Sequence, residues 1–123
     1  MLVIAGTVRI DPSKRSEADA AAKTVMAETR KEAGCISYTF SADLDEDGLF
    51  HIFEEWENQE ALDAHFKAPH MAAFMGQMGQ LGVKEMKVQR YEVSAVSPLM
   101  QGAHTRGVRR KLFSGWHPGP VKN

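Results

Sequence analysis

The stretch Glu32-Ala-Gly-Cys-Ile-Ser-Tyr-Thr-Phe-Ser-Ala-Asp-Leu-Asp-Glu-Asp-Gly-Leu-Phe-His-Ile-Phe-Glu-Glu-Trp-Glu-Asn-Gln-Glu-Ala-Leu-Asp-Ala-His-Phe-Lys-Ala-Pro-His70 decides the fold. Residues 35–42 read as a strand, with Ile36, Tyr38 and Phe40 on one face and Cys35, Ser37 and Thr39 on the other. Residues 43–48 are acidic and close on Gly48, which marks a hairpin loop. The next strand, from Leu49 to about Glu57, puts Phe50, Ile52, Glu54 and Trp56 on one face and His51, Phe53 and Glu55 on the other. Asn58 is placed to cap a short helix through Ala61, Leu62 and Phe66, which Pro69 interrupts. Large apolar groups therefore fall on both faces of one strand. One face must cover helices, and the other needs a second cover, for which a partner's sheet is the natural candidate.

Outward from this stretch the pattern continues. Residues 2–10 are apolar and β-branched and read as a strand. Asp11-Pro12-Ser13 forms a turn, and Ser16 with Asp19 can act as a capping pair. Ala18, Ala21, Ala22, Val25, Met26 and Thr29 make the apolar stripe of a helix that ends near Ala33-Gly34. After Pro69, the helical spacing of Met71, Phe74, Met75, Met78 and Leu81 predicts a second segment, and residues 83–93 a fourth strand. Gly76, Gly79 and Gly82 would make that second segment pliable. The order β-α-β-β-α-β is the ferredoxin-like arrangement, an α+β fold with an antiparallel sheet.

Length and charge narrow the class. The 123 residues suit one domain, read here as residues 1–96 with a basic, Gly- and Pro-containing extension over 97–123. All 16 acidic residues precede Ser97 with 10 of the 15 Lys and Arg, a net of −6, while Arg106, Arg109, Arg110, Lys111 and Lys122 give the extension +5. That complementarity favours an arm packed on the acidic domain or on a partner subunit over nucleic-acid binding. One Cys excludes an internal disulfide framework, and Cys35 reads as an inert buried thiol. With no long apolar run and no basic leader before the first strand, neither integral membrane contact nor a signal peptide is expected; the expected location is cytoplasmic.

Gly34-Cys35, the run Phe53-Glu54-Glu55-Trp56-Glu57, and Ala61-Leu62-Asp63-Ala64-His65-Phe66 through Pro69-His70-Met71 resemble the antibiotic biosynthesis monooxygenase (ABM) domain family. The resemblance covers residues 1–95. It implies a ferredoxin-like dimer whose two sheets form an α+β barrel. It also implies a cofactor-independent monooxygenase that oxidises a small aromatic, phenol or quinol with O₂, without flavin or metal. The same scaffold also supports haem degradation, lactone isomerisation, and non-catalytic ligand-binding or structural dimers.

Within that frame the phenol would lose a proton and pass an electron directly to O₂, while the protein supplies desolvation, orientation and a proton acceptor. Trp56, His65 and His70 are the catalytic candidates, either His serving as base because imidazole titrates near neutrality. Thr7, Tyr38, Ile52, Phe66, Phe74 and Met78 are the candidate substrate contacts, Thr7 standing where some members place an Asn. Each catalytic candidate has an ordinary alternative: Trp56 closing the sheet–helix contact, His65 bonded to a strand carbonyl, His70 opening the second helical segment. Glu54 and Glu55 point to opposite faces and make no acid–base pair; one of them is expected to form a salt bridge across the dimer. His51, His65 and His70, separated by 14 and 5 residues, give no spacing of a metal site. Haem degradation fits poorly, with Thr7 and Phe74 or Met75 where that subgroup carries Asn and His.

Overall fold

The structure, a computed structural model, describes residues 1–100. Its elements are β1 (Leu2–Ile10), a 3₁₀ turn (Pro12–Lys14), α1 (Arg15–Thr29), β2 (Cys35–Ala42), β3 (Leu49–Trp56), α2 (Gln59–Phe66), α3 (Pro69–Met78) and β4 (Val83–Glu92). The strands form one sheet in the order β2-β3-β1-β4, antiparallel at every junction. This is the ferredoxin-like topology expected from the element order. The extension from residue 97, and with it the proposed arm, lies outside the described residues beyond Met100. Among the described residues no helix is long and apolar enough to cross a membrane.

The local chemistry explains the boundaries. The Asn58 side chain accepts from the Ala61 N–H and starts α2. Pro69 occupies the first turn of α3, where its missing N–H costs nothing, and Ala68 before it is extended, as a residue preceding proline prefers. The long second helix of a simple βαββαβ unit is thus split in two. Gly34, at φ 85°, closes the turn after α1; a Cβ there would strike the Ala61 side chain.

Two local readings are corrected. Ser16 and Asp19 do not cap α1: the helix begins at Arg15 behind the Asp11-capped 3₁₀ turn, Ser16 lies inside it, and Asp19 pairs with Arg15 at 2.8 Å. Ile36 does not share a face with Tyr38 and Phe40. Cys35 pairs with Trp56 and Ser37 with Glu55, so one extra residue sits in β2 and shifts the phase of its pleat. Ile36 is therefore 50% exposed, while Cys35 joins the inward side.

The helices cover the sheet face carrying Phe50, Ile52, Glu54 and Trp56. One buried cluster gathers Leu2, Val25, Tyr38, Trp56, Leu62, Met71 and Phe74, and a second gathers Val8, Ile10, Ala18, Phe50 and Leu81. Between the two clusters the packing leaves a cavity. Gly6 lies at the sheet centre, opposite Ile52 and Val88, where a Cβ would collide with the Lys87 carbonyl oxygen. Only glycine lets β1 and β4 approach this closely.

Candidate functional site

The cavity measures about 220 Å³ and opens beside α3. Ile4 and Val8 of β1, Tyr38 and Phe40 of β2, and Phe50, Ile52 and Glu54 of β3 form its floor. Phe66 of α2 and Met71, Phe74, Met75 and Met78 of α3 form its roof, with Met86 and Val88 of β4 at one side. Phe66, Met75 and Met86 are each more than half exposed and mark its rim. Thioether side chains there can adapt to ligands of different outline.

Of the predicted substrate contacts, the structure brings Tyr38, Ile52, Phe66, Phe74 and Met78 to this cavity. It does not bring Thr7. That residue pairs in register with His51 and Lys87, one pleat out of phase with Ile4 and Val8, and belongs to the opposite face of the sheet.

The three catalytic candidates lie behind the cavity wall. Trp56 is wholly buried, its ring centroid 4.8 Å from that of His65 and 6.3 Å from that of Tyr38. His65 is 1% exposed. Its Nδ1 lies 2.8 Å from Glu32 Oε2, and His70 Nε2 lies 2.5 Å from the same oxygen. The expected bond from His65 to a strand carbonyl is replaced by this shared carboxylate. Glu32 sits in the turn after α1, and nothing in its local pattern marks it. His70 does open α3, as its place after Pro69 suggested.

The carboxyl that does line the cavity is Glu54. Apart from the Tyr38 phenol its neighbours there are apolar, and the Trp56 Nε1–H donates to its Oε1 at 2.9 Å. Burial pushes its carboxyl up to about 7; the Trp56 hydrogen bond pulls the other way, and the charge of Glu32 adds to the rise. A carboxyl poised near neutrality can hold or release a proton at ordinary pH. Glu55, on the other face, accepts from the Ser37 hydroxyl at 2.7 Å. Of the adjacent acids, Glu54 therefore belongs to the cavity and only Glu55 is on the face left for a partner. Burial likewise raises the Tyr38 phenol, which stays neutral through the physiological range.

The domain is thus a ferredoxin-like α+β fold with an apolar cavity under a split helix and one buried carboxyl lining it. The chain belongs to the antibiotic biosynthesis monooxygenase family, whose model matches residues 1–77. An uncharacterized protein of Synechocystis is 36% identical over 98 residues, covering 80% of this chain and 67% of that protein. A Bacillus subtilis protein named "Putative monooxygenase YcnE" is 26% identical, covering 76% of this chain and 99% of its own. Among solved structures, a conserved protein of unknown function from Bacteroides thetaiotaomicron is 35% identical at TM-score 0.69, covering 75% of this chain and 96% of that one. A family member from Deinococcus radiodurans is 27% identical at TM-score 0.75, covering 81% and 99%.

Proposed function

We propose that the protein oxidises a single-ring phenol or hydroquinone with O₂, using Glu54 as proton acceptor and no organic cofactor. The observation that carries this reading is one buried carboxyl, poised near pH 7, facing an otherwise apolar cavity of about 220 Å³. A cavity of about 150 Å³ holds a benzene ring. The volume therefore accommodates one ring with its substituents.

In this mechanism Glu54 takes the phenolic proton, and the apolar walls leave the phenolate poorly solvated and electron-rich. One electron passes to O₂, and the radical pair joins at a ring carbon as a hydroperoxide. Loss of water then leaves a carbonyl. For hydroquinone the balance is C₆H₆O₂ + O₂ → C₆H₄O₃ + H₂O, with both electron pairs coming from the substrate. His65 and His70, the bases that the resemblance implies, are held by Glu32 away from the cavity and serve here to fix the α2–α3 junction. Trp56 orients Glu54 through its N–H.

Oxygen uptake with a panel of substituted hydroquinones tests the reading. Saturable uptake with single-ring members, and a hydroxyquinone product, are expected. Uptake at background while a hydroquinone still raises the melting temperature would make the protein a ligand-binding domain. Isomerised product without O₂ loss would make it an isomerase on the same carboxyl.

A homodimer forms part of the proposal. The face opposite the cavity exposes Phe53 by 46% and Tyr91 by 47%, beside Val3 and Ala5 in register. This apolar strip needs a cover, and family members are commonly dimeric. Sedimentation velocity is expected to give twice the chain mass, and Phe53→Lys the single-chain mass. A wild-type chain that sediments as a monomer at high micromolar concentration removes the dimer.

A further inference from the structure

We propose that Glu32, His65 and His70 form a binding site for one divalent first-row transition ion, with water completing the coordination. The three donor atoms lie within 4.8 Å of one another. They come from the turn after α1, from α2 and from the first turn of α3, and two imidazoles with one carboxylate are a donor set that such ions favour.

The convergence depends on the helix break. On a continuous helix, residues five apart diverge by about 140° around the axis. Pro69 ends α2 and restarts the chain as α3, so that His65 Nδ1 and His70 Nε2 meet at one carboxylate oxygen. Both contacts, at 2.8 and 2.5 Å, need a proton when no ion is present, and a cation at the centre replaces those protons. With ion–donor bonds of about 2.0–2.1 Å, tetrahedral donors lie about 3.3–3.4 Å apart, so both nitrogen–oxygen contacts lengthen by roughly 0.5–0.9 Å when the ion enters.

A second observation points the same way. His65 Nε2 is fully buried and has no hydrogen-bond partner. With Nδ1–H donating to Glu32, Nε2 of a neutral ring carries a bare lone pair, packed among the rings of Trp56 and Tyr38. An ion on Nδ1 moves the ring proton to Nε2, and an N–H is better tolerated by aromatic faces than a lone pair. Access is present as well: the side chains of Glu32 and His70 are 15% and 20% exposed, while His65 at 1% is held rigid by its packing. A bound ion would tie together three chain segments next to Phe66 and Met71, which line the cavity.

The test uses the full chain, stripped with a chelator and titrated with Co²⁺ alone, followed by visible absorption. One Co²⁺ per chain with the strong bands of a low-coordinate site is expected, displaced by Zn²⁺. Glu32→Gln and His70→Ala are each expected to weaken binding by more than the ~10–100-fold lost when a residue merely supporting a ligand is removed. His51→Ala, whose ring pairs with Asp43 elsewhere, is expected to bind as the wild type does. Absence of saturable Co²⁺ uptake by the wild type overturns the proposal and needs no variant to fold. Undiminished uptake in the Glu32→Gln, His70→Ala double variant overturns it equally, because the ion then sits elsewhere.

Discussion

Glu54→Gln is expected to lower kcat/KM for hydroquinone oxidation by about 10²–10⁴-fold, the range supplied by a positioned general base, while making the protein more stable at pH 8. Both effects come from one buried carboxyl. Its folded pKa is raised from 4.5 to about 7, chiefly by burial. The folded state therefore keeps the proton where the unfolded chain has released it. The destabilisation is absent below about pH 4.5, grows as pH rises to about 7, and is constant above that. At 1.36 kcal/mol per unit it amounts to about 3 kcal/mol. Glutamine removes this charge and can still accept from Trp56. Its NH₂ faces an apolar cavity, which offsets part of the gain and leaves about 2 kcal/mol.

Wild-type unfolding free energy should thus fall between pH 5 and 7 by more than in the variant, as read by urea titration at several pH values. Wild-type kcat/KM should rise through about pH 7, because the base must be ionised. The groups bearing on Glu54 are Tyr38, opposite it on β2, the charge of Glu32, and the Trp56 N–H; β1 presents Ile4. Burial raises the Tyr38 phenol, so it keeps its proton across this range and does not mimic the profile. A variant that keeps activity within threefold at pH 8 would show that Glu54 is not the proton acceptor.

Trp56 carries the second large effect. Trp56→Ala empties the centre of the larger core cluster and takes the hydrogen bond from Glu54. Such truncations cost about 3–5 kcal/mol. For a domain near 100 residues this lowers the melting temperature by roughly 15–30 °C. Trp56→Phe separates packing from hydrogen bonding: most of the ring remains, and the N–H is lost. Its stability cost should be nearer 1–2 kcal/mol. Since the Trp56 bond favours ionised Glu54, its loss should move the midpoint of the kcat/KM profile upward in pH. A midpoint unchanged in Trp56→Phe would remove the orienting role and leave Trp56 as core alone.

Much of this was legible in the chain. The period-two alternation in β3 assigns Phe50, Ile52, Glu54 and Trp56 to one face and His51, Phe53 and Glu55 to the other, and the structure keeps that assignment. Asn58 and Pro69 act through their own backbone neighbours, so α2 and the start of α3 could be placed from residue type. Ile36 escaped because a bulge depends on how two strands register, which neither strand encodes alone. Thr7 escaped for a related reason: its face follows from the pairing of β1 with β3 and β4, and a position inferred by resemblance carries no pleat phase.

The sequence by itself determined the element order, the break in the second helix and the two-faced character of β3, because capping, proline sterics and side-chain alternation act over a few residues. Only the tertiary structure decided what the acidic residues do. Glu54 became the carboxyl of the cavity once the helices closed over its face and removed water from it. Glu32 became the common partner of His65 and His70, 33 and 38 residues away, once α1, α2 and α3 had packed on the same sheet. Desolvation and contacts at that separation arise from the assembled core, and no local pattern in the chain carries them.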